Sequence, residues 1–229
     1  MKKFAGPDPN FPFLDVNQRF SFPDPLKSES DSIIAWGGNL SPGMLLSAYE
    51  QGLFPWYGEN EPVIWHSPDP RFILFPENIH ISASMKKIIK AKKFDITIDQ
   101  DFNGVIKACS EIIRPNQKGT WIDDNIIDAY TELHQLGFAH SAEAWYKGEL
   151  VGGCYGVRLY SVFFGESMFA RMSNASKAAF IYLVDHLAKD GVSLIDCQTH
   201  TPHLHTLGAR EIDRKDFILL LKEKLELNY

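Results

Sequence analysis

The segment 194–198, Leu-Ile-Asp-Cys-Gln, places a carboxylate two residues before an amide among apolar neighbours. Side chains on a strand alternate between its two faces, so we expect Asp196 and Gln198 to share one face. Such a pair can orient a nucleophile and pass on a proton. The neutral amide of Gln198 is not a base, so any basicity must come from Asp196 or from the substrate. A solvated strand end is the structural alternative.

A second carboxylate lies in the segment 164–169, Phe-Gly-Glu-Ser-Met-Phe. The same alternation places Glu166 and Met168 on one face of a strand. A carboxylate beside a soft apolar side chain suits a ligand that carries both an ammonium and an apolar group. A strand that ends at the surface is the alternative explanation.

Five lysines and no acidic residue fall within the eight positions 86–93. On a helix, Lys86, Lys90 and Lys93 lie along one face, with Lys87 beside them. Lysines that meet phosphates release counterions, so binding of nucleic acid here would depend steeply on salt. The alternatives are a solvated helix face and a helix on a membrane surface, whose apolar side would be small.

Three histidines, His200, His203 and His205, fall within six residues and are possible zinc ligands. Neither an HExxH motif nor a carboxylate at metal spacing accompanies them. In a short helix that starts at Pro202, His203 and His205 would diverge by about 200°. We therefore expect no metal.

The periodicity of the surrounding residues predicts the elements that must position these groups. Three strands form an antiparallel meander, a helix follows, and a last strand carries the 194–198 segment. Further helices are predicted after the N-cap candidates Ser41 and Ser84, and another over residues 123–136, ended by Gly137. The predicted meander strands, helix and last strand span 139–146, 150–157, 160–168, 175–189 and 192–198.

The order meander, helix, strand is that of the GNAT-type acyltransferase fold. The first 80 residues differ, because they hold 11 of the 13 prolines. We therefore predict an α+β protein with a small N-terminal domain at 1–70. A GNAT-like catalytic domain with a mixed, largely antiparallel sheet would follow at 71–229. The segment 171–176 lacks the glycines with which GNAT enzymes hold acetyl-CoA, so we expect no CoA and no other cofactor.

Composition excludes several classes of protein. The 229 residues are 45% hydrophobic and 23% charged, as in globular proteins, and no apolar run approaches the ~20 residues of a membrane span. An odd count of three cysteines without a CxxC motif disfavours disulfides and zinc knuckles. Pro7, Asp8, Pro9 and Asn10 interrupt the place of a signal peptide's apolar stretch, so we expect a cytoplasmic protein. The net charge of −6 disfavours a general nucleic-acid coat but permits a local basic patch.

Eight segments, in order and at natural spacing, together make the sequence resemble the leucyl/phenylalanyl-tRNA–protein transferase family. The segments are AWGGNLSPGMLLSAYEQGLFPWY (35–57), IWHSPDPR (64–71), GTWI (119–122), GGCYGV (152–157), FGESMF (164–169), ASKAAF (175–180), LIDCQ (194–198) and HLHTLGAR (203–210). The chain departs from the family at His66, where tryptophan is usual, and at Asn39, where aspartate is usual. It also has lysines where relatives often carry arginines, which bind phosphate with a two-pronged fork.

The resemblance implies transfer of Leu or Phe, and less well Met, from aminoacyl-tRNA to an N-terminal Arg or Lys of an acceptor protein. The product is a destabilising N-terminus that marks the acceptor for degradation in the N-degron pathway. The resemblance also implies roles for individual residues. Asp196 and Gln198 would promote the reaction, and Glu166 would bind an ammonium, either that of the aminoacyl group or that of the acceptor.

The family pattern further implies an apolar pocket for the aminoacyl side chain and a binding surface for tRNA. The pocket walls would be Cys154, Met168, Phe180, Leu183, Leu187 and Ile195. Trp56, Trp121 and Tyr49 are candidates for stacking on the terminal adenosine, and Lys86, Lys87, Lys90 and Lys93 for binding phosphates. The other functions considered are a CoA-dependent N-acetyltransferase, a non-catalytic RNA-binding adaptor and a zinc hydrolase.

Overall fold

The computed structural model describes residues 8, 10–58, 61–112 and 120–225. Pro7, Pro9 and Gly119, which the sequence analysis used, lie outside these ranges. The strands are β1 (Ile33–Trp36), β2 (Phe54–Pro55), β3 (Ile64–His66), β4 (Arg71–Leu74), β5 (Asp95–Ile98), β6 (Ala139–Tyr146), β7 (Glu149–Leu159), β8 (Val162–Ala170), β9 (Leu194–Gln198) and β10 (Arg210–Ile212). The α-helices are α1 (Pro42–Glu50), α2 (Ala83–Lys90), α3 (Phe102–Glu111), α4 (Asp124–Gln135), α5 (Ala175–Lys189), α6 (Pro202–His205) and α7 (Arg214–Lys224).

The strands form two sheets. A small sheet has the order β1-β3-β2, and a seven-stranded sheet has the order β10-β4-β9-β8-β7-β6-β5. Every neighbouring pair in the large sheet is antiparallel except β8 and β9, which are parallel. The predicted α+β class with a mixed, largely antiparallel sheet is therefore confirmed.

The meander β6–β8, then α5 and then β9, occurs in the predicted order, and α5 has the predicted bounds. One predicted cap was wrong. Ser82, rather than Ser84, precedes α2 and accepts a hydrogen bond from the Met85 backbone N–H. The helix predicted over 123–136 is α4, which begins one residue later because Asp123 is its N-cap and accepts a hydrogen bond from the Ile126 backbone N–H.

The N-terminal region packs against the large sheet through α1. Residues 42–49 of this helix are all buried, which is why its sequence is apolar on every side. The same hydrophobic core contains residues of α3, α4 and α7. The strands of the small sheet all lie before residue 70 and those of the large sheet all lie after it, while the domain boundary at residue 70 stays a prediction.

Among the described residues, no helix is long and apolar enough to cross a membrane.

Candidate active site

A cavity of about 450 Å³ opens where β8 and β9 separate. The last residues that pair between these strands are Phe164 and Asp196. Beyond that pair, residues 165–170 of β8 and residues 197–199 line the cavity from two sides. Parallel strands that separate in this way expose the backbone and side chains of both ends to one space. The cavity is therefore the place where the two candidate segments meet.

A bulge in β8 carries Glu166 into the cavity wall. Tyr155 of β7 pairs with Ser167, whereas Gly156 pairs with Gly165, so Glu166 is the extra residue. A side chain at Gly156 would collide with the carbonyl oxygen of Phe164, so the bulge needs glycine opposite it. Met168, two residues later, also lines the cavity. Glu166 and Met168 therefore both reach the cavity, but the predicted shared strand face was wrong, because the bulge reverses the alternation: Glu166 contacts tyrosines of one hydrophobic cluster and Met168 packs against the other.

Three uncharged donors hold the Glu166 carboxylate. The Tyr49 hydroxyl donates to Oε1 at 2.7 Å, and the Tyr130 hydroxyl donates to Oε2 at 3.1 Å. The Gln198 side-chain Nε2 also donates to Oε1, at 2.8 Å. The two tyrosine hydroxyls are themselves in hydrogen-bond contact. The carboxylate is thus fixed without a cation.

Burial raises the pKa of Glu166 to about 7, and the charge of Asp196 acts in the same direction. The three hydrogen bonds oppose this by stabilising the ionised form. Burial also raises the pKa of Tyr49 and Tyr130 well above their usual range, so both hydroxyls stay protonated and able to donate. Glu166 therefore changes its charge near neutral pH.

The Asp196 side chain does not lie on the strand face where the alternation of side chains predicted it. Gln198 pairs with Phe72 of β4 and Asp196 with Ile73, so Cys197 is an extra residue that breaks the alternation. Gln198 lines the cavity, whereas the fully buried Asp196 pairs with Arg71 at 2.6 Å. The two side chains do not share a face, and this part of the prediction was wrong.

The predicted apolar pocket is partly present. Cys154, Met168, Phe180 and Ile195 line the cavity. Two members need correction: Leu183 and Leu187, on the next turns of α5, do not line this cavity, although they belong to the same buried cluster as Phe180. Burial raises the pKa of the Cys154 thiol, so this thiol is an apolar wall and not a nucleophile.

The structure brings two of the three predicted stacking residues to the cavity. Trp56 and Trp121 line the cavity, and Trp56 is 38% exposed. Tyr49 needs correction, because its ring is fully buried against Phe164 and its hydroxyl binds Glu166. A buried ring cannot stack on a base, so the structure gives Tyr49 a role in holding Glu166.

The four predicted phosphate-binding lysines are exposed and lie on or next to α2. Lys86, Lys87 and Lys90 belong to the helix, whereas Lys93 follows its end, so the predicted four-residue helical face is one residue short. The apolar side of α2 lines a second cavity, of about 810 Å³.

The three histidines do not converge. His203 lines the first cavity, while the His200 ring packs against Phe72 and lies 5.6 Å from the ring of His205. Burial, and next the charge of Lys177, lowers the pKa of His203, so its ring is neutral. Among the residues that the structure describes, no group of three His, Cys, Asp or Glu could hold a metal ion.

Sequence reasoning missed Tyr130 and Arg71. Tyr130 lies on the same buried face of α4 as Ile126 and Leu133, which marks it as core and hides its contact with Glu166. Arg71 ends the segment 64–71, whose apolar surroundings make a charged residue unusual. A charged residue among apolar neighbours is the signal from which Arg71 could have been predicted as a buried functional residue.

Comparison with known proteins assigns the family. A family model described as "Leucyl/phenylalanyl-tRNA protein transferase" matches residues 73–222. The chain belongs to the leucyl/phenylalanyl-tRNA protein transferase family. A second model of this transferase family, described as its N-terminal domain, matches residues 38–69. The resemblance drawn from the sequence is therefore confirmed.

Individual members of the transferase family align over most of their length. A leucyl/phenylalanyl-tRNA–protein transferase of Syntrophobacter fumaroxidans (strain DSM 10017 / MPOB) is 48% identical over 93% of this chain and 92% of its own. One of Anaeromyxobacter sp. (strain Fw109-5) is 52% identical over 90% of this chain and 88% of its own.

Solved structures align more distantly. L-PGS from Bacillus licheniformis has a TM-score of 0.42 at 15% identity, over 58% of this chain and 47% of its own. A GCN5-related N-acetyltransferase-like protein from Streptococcus suis 89/1591 has a TM-score of 0.37 at 17% identity, over 62% of this chain and 59% of its own.

Proposed function

We propose that this chain transfers Leu and Phe, and less well Met, from aminoacyl-tRNA to an N-terminal Arg or Lys of acceptor proteins. The family membership supports aminoacyl transfer to a protein. The choice of acceptor, and the marking of the product for degradation, rest on the resemblance of the sequence to the family. The observation that carries the mechanism is the Glu166 carboxylate, which ionises near neutral pH in the wall of an apolar cavity.

The contacts of Glu166 suit it to accept one proton. Three contacts join Tyr49, Tyr130 and the carboxylate, but the two hydroxyls supply only two protons when Glu166 is ionised. A third proton on Oε2 completes a ring, because Glu166 then donates to Tyr130, Tyr130 to Tyr49, and Tyr49 to Oε1. The ring thus leaves the protonated form with hydrogen bonds of its own, while the same hydroxyls favour the ionised form more strongly.

Peptide-bond formation then needs one proton acceptor and good positioning. The acceptor's α-ammonium has a pKa of about 7.7–8, close to that of Glu166, so transfer of its proton to Glu166 costs little. The free amine attacks the ester carbonyl carbon, and a nitrogen–carbon bond forms. The bond from that carbon to the tRNA 3′-oxygen breaks, and this oxygen takes the second proton of the attacking nitrogen.

Gln198 would orient the amine in this step. Its Nε2 already donates to Glu166, so its amide oxygen is the atom that can accept a hydrogen bond from the attacking nitrogen. A reaction of an activated ester gains mainly from such positioning.

The apolar walls would select the side chain that is transferred. Cys154, Met168, Phe180 and Ile195 offer no polar partner of the kind that would favour a polar side chain. One methylene changes binding in such a pocket by only about 1–3 kcal/mol, so overlap among Leu, Phe and Met is expected. Methionine walls adapt readily to branched and aromatic groups.

The rest of the tRNA would bind outside this pocket. Trp56 and Trp121 suit stacking on the terminal adenosine, at about 1–3 kcal/mol per base. The exposed lysines of α2, with Lys93, suit contacts with phosphates of the acceptor stem, which would position the tRNA without reading its sequence.

The test is transfer of radiolabelled Leu from charged tRNA to a protein that begins with Arg, with the same protein beginning with Ala as the matched acceptor. We expect transfer only to the first, and at least ~100-fold less with Gln198→Ala. Charged tRNA that binds without transfer would contradict the proposed function. Transfer at full rate by Gln198→Ala would instead contradict the mechanism alone.

A further inference from the structure

Arg71 is fully buried where three parts of the chain meet. Its guanidinium carbon lies 4.9 Å from the ring centroid of Phe54 and 4.4 Å from that of Phe217. Nη1 donates to the Gly52 carbonyl at 3.1 Å. Nε and Nη2 donate to the two carboxylate oxygens of Asp196 at 2.8 and 2.6 Å. The guanidinium is thus held in place by β2, β9, α7 and the turn at Gly52.

The Asp196 carboxylate is occupied on both oxygens. Besides the two Arg71 contacts, its Oδ1 accepts a hydrogen bond from the Gln198 backbone N–H at 2.9 Å. The side chain has no exposed surface and is outside the cavity walls. It therefore has no path to a bound amine, and its contact with the site runs through the Gln198 backbone.

That backbone contact holds Gln198 in an unfavourable conformation. Its φ is +63°, in the left-handed region that residues with a side chain rarely adopt. This conformation ends β9, and from it Nε2 reaches Glu166. The backbone N–H of the same residue is the one that donates to Asp196 Oδ1.

We propose that Arg71 is a positioning residue that, through Asp196, holds Gln198 in its left-handed conformation. Asp196 is then a fixed hydrogen-bond acceptor and not a proton relay. This inference rests on the proposed function and extends it to a residue that the substrate does not touch.

A proton relay and a fixed hydrogen-bond acceptor require different properties of the side chain at position 196. A relay needs a carboxylate that can gain and lose a proton. A fixed acceptor needs only an oxygen near the Gln198 N–H and a partner that leaves no unbalanced charge. The double variant Arg71→Gln with Asp196→Asn removes both charges and keeps an amide oxygen at position 196. Breaking a buried pair on one side is harmful, whereas replacing both partners is tolerated far better.

The experiment measures kcat and KM for charged tRNA in the wild type, in each single variant and in the double variant. We expect each single variant to lose at least ~30-fold in kcat with little change in KM, because Gln198 is displaced by a fraction of an ångström or more. We expect the double variant to regain at least ~10-fold over either single variant. A double variant no more active than Asp196→Asn, or an Arg71→Gln variant with wild-type kcat, would overturn the inference.

Arg214→Gln is the matched control. This arginine is also buried, but its Nη1 donates to the carbonyls of Ser30 and Ser67. We expect it to lower the melting temperature and leave kcat unchanged. If neither single variant folds, the double variant decides: a kcat within ~10-fold of wild type supports the inference, and a larger loss overturns it.

A wild type without transfer activity would overturn the proposed function and leave this inference testable. The backbone amide resonance of Gln198 should then shift in Arg71→Gln and return toward its wild-type position in the double variant. A resonance that stays unmoved in Arg71→Gln would overturn the inference.

Discussion

Glu166 and Asp196 are two carboxylates at the point where β8 and β9 separate, and they differ in the charge of their partners. Glu166 is held by two hydroxyls and an amide, all uncharged. Asp196 is held by the guanidinium of Arg71 and by a backbone N–H. The uncharged donors around Glu166 leave it able to gain a proton near pH 7, whereas the Arg71 guanidinium holds the Asp196 carboxylate in place through two hydrogen bonds. The difference matches the two proposed roles, Glu166 as the proton acceptor and Asp196 as a fixed hydrogen-bond acceptor.

The largest effect that tests this comparison is on stability. Asp196→Ala should lower the free energy of unfolding by about 3–5 kcal/mol, because it leaves the Arg71 guanidinium buried without its counter-charge. Urea unfolding followed by circular dichroism measures this. Asp185→Ala, which removes one partner of an exposed pair with Lys189, is the control and should leave stability almost unchanged. A decrease of less than about 1 kcal/mol in the free energy of unfolding of Asp196→Ala would contradict the distinction between the two carboxylates.

Glu166→Gln should have the opposite effect, because the variant should remain folded but lose activity. The pKa of Glu166 is raised to about 7, so its ionised fraction, and with it kcat, should increase as the pH rises through that value. The variant should lose at least ~100-fold in kcat at pH 8, together with this pH dependence. Measurement of kcat from pH 5.5 to 8.5 checks both. If kcat of the Glu166→Gln variant still increases near pH 7, a group other than Glu166 is responsible for the pH dependence.

Tyr130→Phe should shift the profile of Glu166 without abolishing activity. The Tyr130 hydroxyl lowers the pKa of Glu166, so its removal should raise that pKa and move the rise in kcat to higher pH. We expect a loss of about 10-fold at pH 7 that largely disappears at pH 8.5. Tyr160→Phe changes a tyrosine that is 66% exposed and should leave the profile in place. An unshifted profile in Tyr130→Phe would mean that the hydroxyl does not tune Glu166.

The smallest expected effect is on tRNA binding, from a residue other than the two carboxylates. Lys87→Ala removes one exposed cation and should weaken tRNA binding only a few-fold, while reducing the slope of log affinity against log salt by about 1. Titrations of charged tRNA at several salt concentrations measure the slope. Glu166→Gln should leave that slope unchanged, and a slope unaffected by Lys87→Ala would place the phosphates elsewhere.

Local sequence patterns predicted the elements better than the contacts between them. The alternation and turn residues of 139–168 suffice for the meander, and the spacing of apolar residues suffices for α5, because both depend on neighbours a few positions apart. The bulges at Glu166 and Cys197 reverse the alternation over one residue. They depend on which glycine or strand lies opposite, and the sequence of one strand does not contain that information.

The partners of the two carboxylates were beyond local patterns altogether. Tyr49 and Glu166 are 117 positions apart, and Arg71 and Asp196 are 125 positions apart. Asp196 and Gln198 could be selected from the sequence because they lie close together. Their different roles follow from side chains that only the fold brings near them.

The contact of Arg71 with Phe217 has a consequence for synthesis of the protein. During translation the chain emerges in order, and position 217 leaves the ribosome only after the strands that carry Glu166 and Asp196. The guanidinium lacks one of its two aromatic neighbours until α7 has emerged and docked. We therefore expect a nascent chain stalled before α7 to be inactive toward the charged tRNAs that its own ribosome is using.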